Sequence, residues 1–548
     1  MTAATTAADS RQEGARPAPG RLPGRWVWPA VYTVAAVLLF FCYLRVSMTQ
    51  AVTGDGSSSA LQAWDMLHGN LLLKGWVTTD VTFWTTELPE YMLVEAIHGL
   101  NAADQHICAA LTYTILVVLA SLVAKGGKTG TEGLVRVLIG AGIMIAPSVG
   151  SGVFIDLLAP DHLGTAAPVL LTWLLIDRAP RRWWVPVLAG LILAWTLDGD
   201  QVALITGVAP LVVVGGMRAY QAIIQRREAI TDSWFELSLV AAGLGAAVLS
   251  DITMKLVRHF GGFRETPLIN TFSGVTSMPD HAWWTVQGVF SVYGADFFNL
   301  KLSVSTALVI LHLVGVALAV TAVVICLRRF LSADLVDTLL TAGIVFNILL
   351  YMFSTAPVSI WATREIAGVL PLGAALAGRT LAGPVIKARL LPLLGAVGLG
   401  YLLALGHGMT RPEQPAEGQN LAGWLVAHHL SYGLSGYGFG PSTTFASGGA
   451  VDLRQANWLP DRVTAGPEEW DTSWYDPAQH YANFVVAPVS PSSPDPFTEA
   501  QVIRIFGQPT HVYHYASQFI IMTYDKNLLN EVGPAPENLL KAVDGITP

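Results

Sequence analysis

Apolar runs of about the length needed to cross a bilayer recur along most of this 548-residue chain. They lie near 27–45, 107–124, 134–149, 164–177, 183–197, 202–217, 233–252, 303–327, 335–353, 365–380 and 389–408. The pattern predicts about 11 transmembrane helices, the fourth to sixth of them short. Two of the stretches between runs are long, 46–106 and 255–302. In the first, Leu61, Trp64 and Leu67 recur at helical spacing, and so do Leu88, Tyr91, Val94, Glu95 and Ile97. Two amphipathic helices lying along the membrane surface are expected there. In the second, HAWWTVQGVFSVYGADFFN at 281–299 is dense in aromatics and reads as an interfacial belt or as a platform for a substrate.

From 409 onward the long apolar runs stop. A helix is expected over 417–435, followed by a Gly-rich turn, GYGFGPSTTFASGG, a strand in YANFVV and a Pro/Ser loop, APVSPSSPDP. Next comes a helix in TEAQVIRIF, opened by a capping box of Thr498 and Gln501 and stopped by Gly507. Strands in HVYHY and FIIMTY complete it. The predicted fold class is therefore an α-helical polytopic membrane protein with a small extracytoplasmic α/β domain over 409–548. Residues 1–26 lack a core pattern and are expected to form a disordered cytoplasmic tail. The membrane domain is placed at 27–408, with its first span a retained anchor.

Composition agrees: 52% of residues are hydrophobic, 13% are charged and mean hydropathy is +0.49, which excludes an ordinary soluble enzyme. Most Lys and Arg fall in the N-terminal tail and in alternate short loops, as in Lys125, Lys128, Arg178, Arg181, Arg182, Arg226, Arg227, Arg328, Arg329, Lys387 and Arg389. The N-terminus is accordingly expected inside and the C-terminal domain outside. The three cysteines, Cys42, Cys108 and Cys326, all fall within spans, so burial rather than disulfides must hold the outer domain.

Candidate chemistry starts at VTGDGSSSALQAWDMLHGN, just after the first span. Asp55 reads either as a helix cap or as a general base for a hydroxyl entering from outside. Ser59 with Gln62 already matches a capping box, so capping does not require the aspartate. Further on, Glu87 and Glu90 flank Pro89 at a helix start that favours negative charge, and Glu87 is carried forward as a substrate-pocket candidate. Asp80 has no cap to make and is a second acid or a residue shaping an acceptor pocket. Asp198 and Asp200, in LDGDQ, are spaced to hold Mg²⁺ or Mn²⁺ or simply to turn a helical hairpin. Arg364, in SIWATREIAG, stands at the outer end of a span, where it is a phosphate clamp or an interfacial anchor paired with Glu365. His312, His428 and His429 form no metal pair, and there is no Walker A loop, GxSxG elbow or CxxC.

This organisation resembles the GT-C class of membrane glycosyltransferases, including the protein O-mannosyltransferase and aminoarabinose and arabinosyl transferase families. The likeness rests on an inside N-terminus, a first outer loop of about 60 residues with an acid directly behind the first span, a second long outer loop and an outer C-terminal domain. It implies transfer of a sugar from a polyprenyl-phosphate donor to a cell-envelope glycan, lipid or protein acceptor, with inversion. Asp55 would be the base and Arg364 the phosphate clamp. The family often writes its acid as DE, DD or DxD, whereas this chain has DG, which weakens any claim on a divalent metal. The Ala, Gly and Val-rich, Lys-poor composition suits an actinobacterial source. A transporter would instead need ionisable residues in mid-span or broken paired helices, and a receptor would leave Asp55 replaceable.

Overall fold

The structure is a computed structural model that describes residues 27–147, 151–227, 229–266, 271–330, 332–416, 418–466, 468–489 and 497–535. The expected tail over 1–26 and most of the Pro/Ser loop lie outside the described residues. Along the chain run α1 (Val27–Ser47), α2 (Gly54–Leu67), α3 (Leu88–His98), α4 (Ala103–Lys125), α5 (Gly130–Met144), α6 (Ser151–Leu157) and α7 (Asp161–Gly164). They are followed by α8 (Ala166–Arg178), α9 (Trp184–Leu197), α10 (Ala209–Tyr220), α11 (Trp234–His259), α12 (Met278–Val292), α13 (Val304–Leu311) and α14 (Leu313–Arg328). Then come α15 (Leu335–Phe353), α16 (Val369–Lys387), α17 (Leu391–Met409), α18 (Gln419–Ala427), α19 (Gly440–Ala446) and α20 (Glu499–Phe506).

Each predicted apolar run holds a helix, although α5 stops at Met144 and the run over 134–149 ends outside the described residues, and the chain is a multi-pass membrane protein. Among the described residues eight helical segments are long and apolar enough to span, including Trp28–Ser47, Ala103–Lys125, Val304–Arg328 and Trp361–Lys387. The difference from eleven comes from α5, α8 and α9, with 15, 13 and 14 residues. At 1.5 Å per residue such helices reach only about 20 Å of a core about 30 Å thick. Polar groups close several helices: Ser303 caps α13, and Asp334 caps α15 by accepting from the Val336 N–H.

The long loops and the C-terminal segment gather at one end of the bundle, and a small sheet ties them together. There β1 (Trp76–Thr78) pairs in parallel with β2 (Arg264–Glu265), and antiparallel with Trp470–Asp471. One apolar core joins the same three regions through Leu61, Trp76, Tyr91, Phe263, Phe445, Trp470 and Trp474. The C-terminal segment also carries a five-stranded mixed sheet, in the order Asp452–Gln455, Tyr432–Ser435, Phe484–Pro488, Phe519–Thr523, His511–Tyr515.

Three local expectations change. The helix expected over 417–435 is α18 alone: the chain turns at His429, with φ +56, and Tyr432–Ser435 becomes a fully buried strand held between two parallel neighbours. The Gly-rich turn contains α19, with Pro441 in its first turn. The amphipathic helix α2 has little free face, because α3, α4 and α19 all pack on it. On α3, Leu88, Tyr91, Val94 and Glu95 are buried as spaced, but Ile97 is exposed. By contrast α20 is built as read, with Thr498 accepting from the Gln501 N–H and Gly507 at φ +84.

Candidate functional site

Asp55 stands in the first turn of α2, and the serine capping box does not form. The helix opens at Gly54 behind Thr53, so Ser59 and Gln62 lie inside it, buried. Tertiary contact sets that start. A Cβ on Gly54 would come within 3.3 Å of the Tyr437 carbonyl, and one on Gly56 within 2.3 Å of the Gln105 side chain, which itself donates to the Leu158 carbonyl. The two glycines let α2 press between the C-terminal segment and α4, and this aims the aspartate between them.

Arg364 reaches Asp55 from the 3₁₀ turn Trp361–Ile366 that leads into α16. Its Nη1 donates to Asp55 Oδ2 at 3.0 Å and to Asp161 Oδ2 at 2.8 Å, and its Nε donates to the Trp361 carbonyl. Asp55 is the open member of this trio, with 45% of its side chain exposed against 11% for Asp161. Asp161 opens α7 with φ +34, a strained value for a residue with a Cβ. Beside it, His162 Nδ1 bonds Asp200 Oδ2 at 3.0 Å, and Thr165 Oγ1 and the Val202 N–H also donate to Asp200. Burial opposes charge on His162, but the Asp200 carboxylate outweighs it and pushes the imidazole up to about 9.

On its other side Asp55 Oδ1 accepts from the Tyr437 hydroxyl at 3.1 Å, and that hydroxyl also meets Glu469 Oε2 at 2.8 Å. These groups line a cavity of about 200 Å³ together with Asp80 and Phe83. Asp80 and His162 also line a second, larger cavity of about 340 Å³, which runs on past Glu365 and Asn347 to the apolar wall Leu204, Ile205 and Leu350. A polar chamber at the loop-rich end thus shares a wall with an apolar one among the helices. Burial raises Asp80 above the usual carboxylate range, and the His162 imidazole partly offsets this.

The sequence-predicted residues separate. Asp55, Asp80 and Arg364 converge on the small cavity. Glu87 lines neither cavity: it is buried behind them, accepts from Thr86 and is raised well above its ordinary range by desolvation and by the neighbouring Asp200. Asp198 and Asp200 have separate partners, Ser250 for the first and His162 and Thr165 for the second. Arg364 pairs with Asp55 and Asp161 rather than with Glu365. Asp161, His162, Tyr437 and Glu469 are the residues that sequence reasoning missed. The adjacent acid and imidazole in APDHLG, behind a proline and between apolar runs, were a signal the sequence offered.

No protein-family model and no curated protein matches the chain. Among solved structures, ArnT from Cupriavidus metallidurans bound to undecaprenyl phosphate aligns over 93% of this chain and 100% of its own, at 12% identity and a TM-score of 0.54. The two share a fold. It is the fold class that the hydrophobic pattern predicts, helical and membrane-spanning with a small α/β part. The oligosaccharyltransferase of Archaeoglobus fulgidus, tethered to an acceptor peptide containing the NVT sequon, aligns over 91% of this chain and 74% of its own, at 10% identity. The TM-score there is 0.47.

Proposed function

We propose that this chain is a membrane glycosyltransferase that moves a sugar from a polyprenyl-phosphate donor to an acceptor hydroxyl on the outer face of the cell membrane, with inversion. The observation that carries this reading is the direct pairing of an accessible carboxylate, Asp55, with a guanidinium, Arg364, from 309 residues away, at a junction of polar and apolar cavities. The shared fold with a protein that binds undecaprenyl phosphate supports the lipid part.

In this mechanism Asp55 takes the proton from the acceptor hydroxyl as that oxygen attacks the anomeric carbon. The bond from that carbon to the phosphate oxygen breaks on the opposite face, and the electron pair leaves with the phosphate. Arg364 Nη2, which makes no hydrogen bond to a described residue, faces this task, and the charged His162 adds a second positive group at the wall shared by the cavities. The apolar wall of the larger cavity takes the start of the lipid chain. Asp80 shapes the pocket.

A divalent ion does not fit this arrangement. Asp55 and Asp161 direct one oxygen each to the same Arg364 nitrogen, and among the described residues no three His, Cys, Asp or Glu side chains are grouped to hold an ion. The guanidinium does the neutralising that a cation would otherwise do, and no step is routed through a metal. The test is transfer from labelled polyprenyl-phosphate sugars in membrane vesicles, comparing the native chain with Asp55→Asn. Equal rates would remove Asp55 from the mechanism, and absence of transfer with every donor class would sink the reading.

A further inference from the structure

Tyr437 and Glu469 come from the C-terminal segment, yet they complete the surroundings of Asp55. A count of hydrogens constrains them. The Tyr437 hydroxyl has one proton and lies within hydrogen-bond distance of two carboxylate oxygens, Asp55 Oδ1 and Glu469 Oε2. Both contacts are satisfied only when one carboxyl group carries a proton and donates back to the phenol oxygen. Asp55 has the Arg364 charge against it. Glu469 has none: it is buried, its other oxygen accepts from Gln62 at 3.3 Å, and the charged groups that act on it are the acids Asp55 and Glu468. Burial first, and then the Asp55 charge, raise this carboxyl to about 8.

The backbone is bent to put it there. Glu469 has φ +44, and Gln455 Nε2 holds the turn by donating to the carbonyls of both Glu468 and Glu469, at 2.8 and 2.7 Å. On the other side, the Tyr437 main chain packs so closely on α2 that a Cβ on Gly54 would lie 3.3 Å from the Tyr437 carbonyl oxygen.

We propose that Glu469 stands protonated at neutral pH and, through Tyr437, fixes the Asp55 carboxylate, so that the C-terminal segment supplies the positioning residues of the base. The donated bond holds Oδ1, and Arg364 holds Oδ2. As pH rises and Glu469 ionises, two carboxylates compete for one phenol proton, and a new negative charge faces the place where phosphate charge develops. Transfer then slows. The kinetic half of this inference rests on the reading of Asp55 as base, and the structural half does not.

The experiment has two arms on the purified full-length protein in lipid. Infrared difference spectra between the native chain and Glu469→Gln should show a protonated-carboxyl band at pH 7 that disappears towards pH 9. The Asp55 carboxylate stretch, identified with Asp55→Asn, should shift in Tyr437→Phe. Absence of the band, or an unmoved Asp55 stretch, overturns the proposal whatever the activity. In the transfer assay Glu469→Ala and Tyr437→Phe should lose rate in kcat rather than KM, by roughly 100-fold, the scale of a misplacement of about 1 Å. Glu469→Gln should restore most of the loss and move the alkaline fall from about 8 up to about 9, where His162 loses its charge. Native kcat in Glu469→Ala overturns the positioning role. If no chain transfers with any donor, the glycosyltransferase reading fails while the spectra still decide the proton and its effect on Asp55.

Discussion

Two arginines bridge carboxylates at opposite ends of the helix bundle, Arg379 deep among the helices and Arg364 at the wall of a cavity. The Arg379 side chain on α16 is 5% exposed and each of its three nitrogens has a partner: Nε meets Asp337, Nη1 meets Asp177 and the Val123 carbonyl, and Nη2 meets Asp334. It fastens α4, α8, α15 and α16 at one point. Arg364 joins two acids through a single nitrogen, with 25% of its side chain exposed. A cluster in which every guanidinium nitrogen is paired is a structural clamp, whereas one with a whole nitrogen unpaired beside a cavity is disposed to receive an anion. The residue types are the same, and the number of donors left over separates the two roles.

The comparison breaks most visibly at Arg379. Arg379→Ala leaves the partly buried Asp177 and Asp337 without their partner and should cost up to about 3 kcal/mol of stability, seen as loss of monodisperse protein on heating in detergent. Arg364→Ala should leave that melting profile near native but lower kcat by roughly 10²–10³, as when a positioned electrostatic donor is removed. If both variants unfolded alike, Arg364 would be a second clamp.

A smaller effect is expected from Asp200→Asn. His162 has a folded pKa raised above its ordinary 6.5, so the stability it gains from Asp200 is complete below about 6.5 and is lost as pH rises through about 9. Removing Asp200 should bring that fall towards neutral pH, so that transfer at pH 8 drops by roughly tenfold more than at pH 6. A native pH profile in Asp200→Asn would show that the His162 charge has no part in the reaction. The smallest change belongs to Glu87→Gln. A carboxyl whose charge is disfavoured by burial is replaced by a neutral amide of the same shape, and stability should move by no more than about 1 kcal/mol with transfer unaltered. A large loss of transfer would restore Glu87 to the substrate pocket.

Asp55 and Arg364 were readable as candidates because both residues sit where charge is out of place, at the ends of apolar runs. Asp161 was not readable as a partner, since nothing local says which carboxylate an arginine 203 residues away will choose. Tyr437 and Glu469 were hidden in a segment whose pattern speaks only of an α/β fold. The same limit explains α2: Ser59 and Gln62 have the right spacing for a cap, but the helix starts where Tyr437 and Gln105 approach two glycines.

What the sequence determined by itself was the helical membrane architecture, the two long loops and the α/β character of the end. These follow from hydrophobic periodicity, caps and turn residues, all of which act over a few positions. Only the tertiary structure decided that three distant segments share one core and one small sheet, that Asp55 is gripped from both sides, and that one arginine keeps a donor in reserve. Those outcomes depend on which buried charges meet, and desolvation makes that choice only once the chain has closed around them.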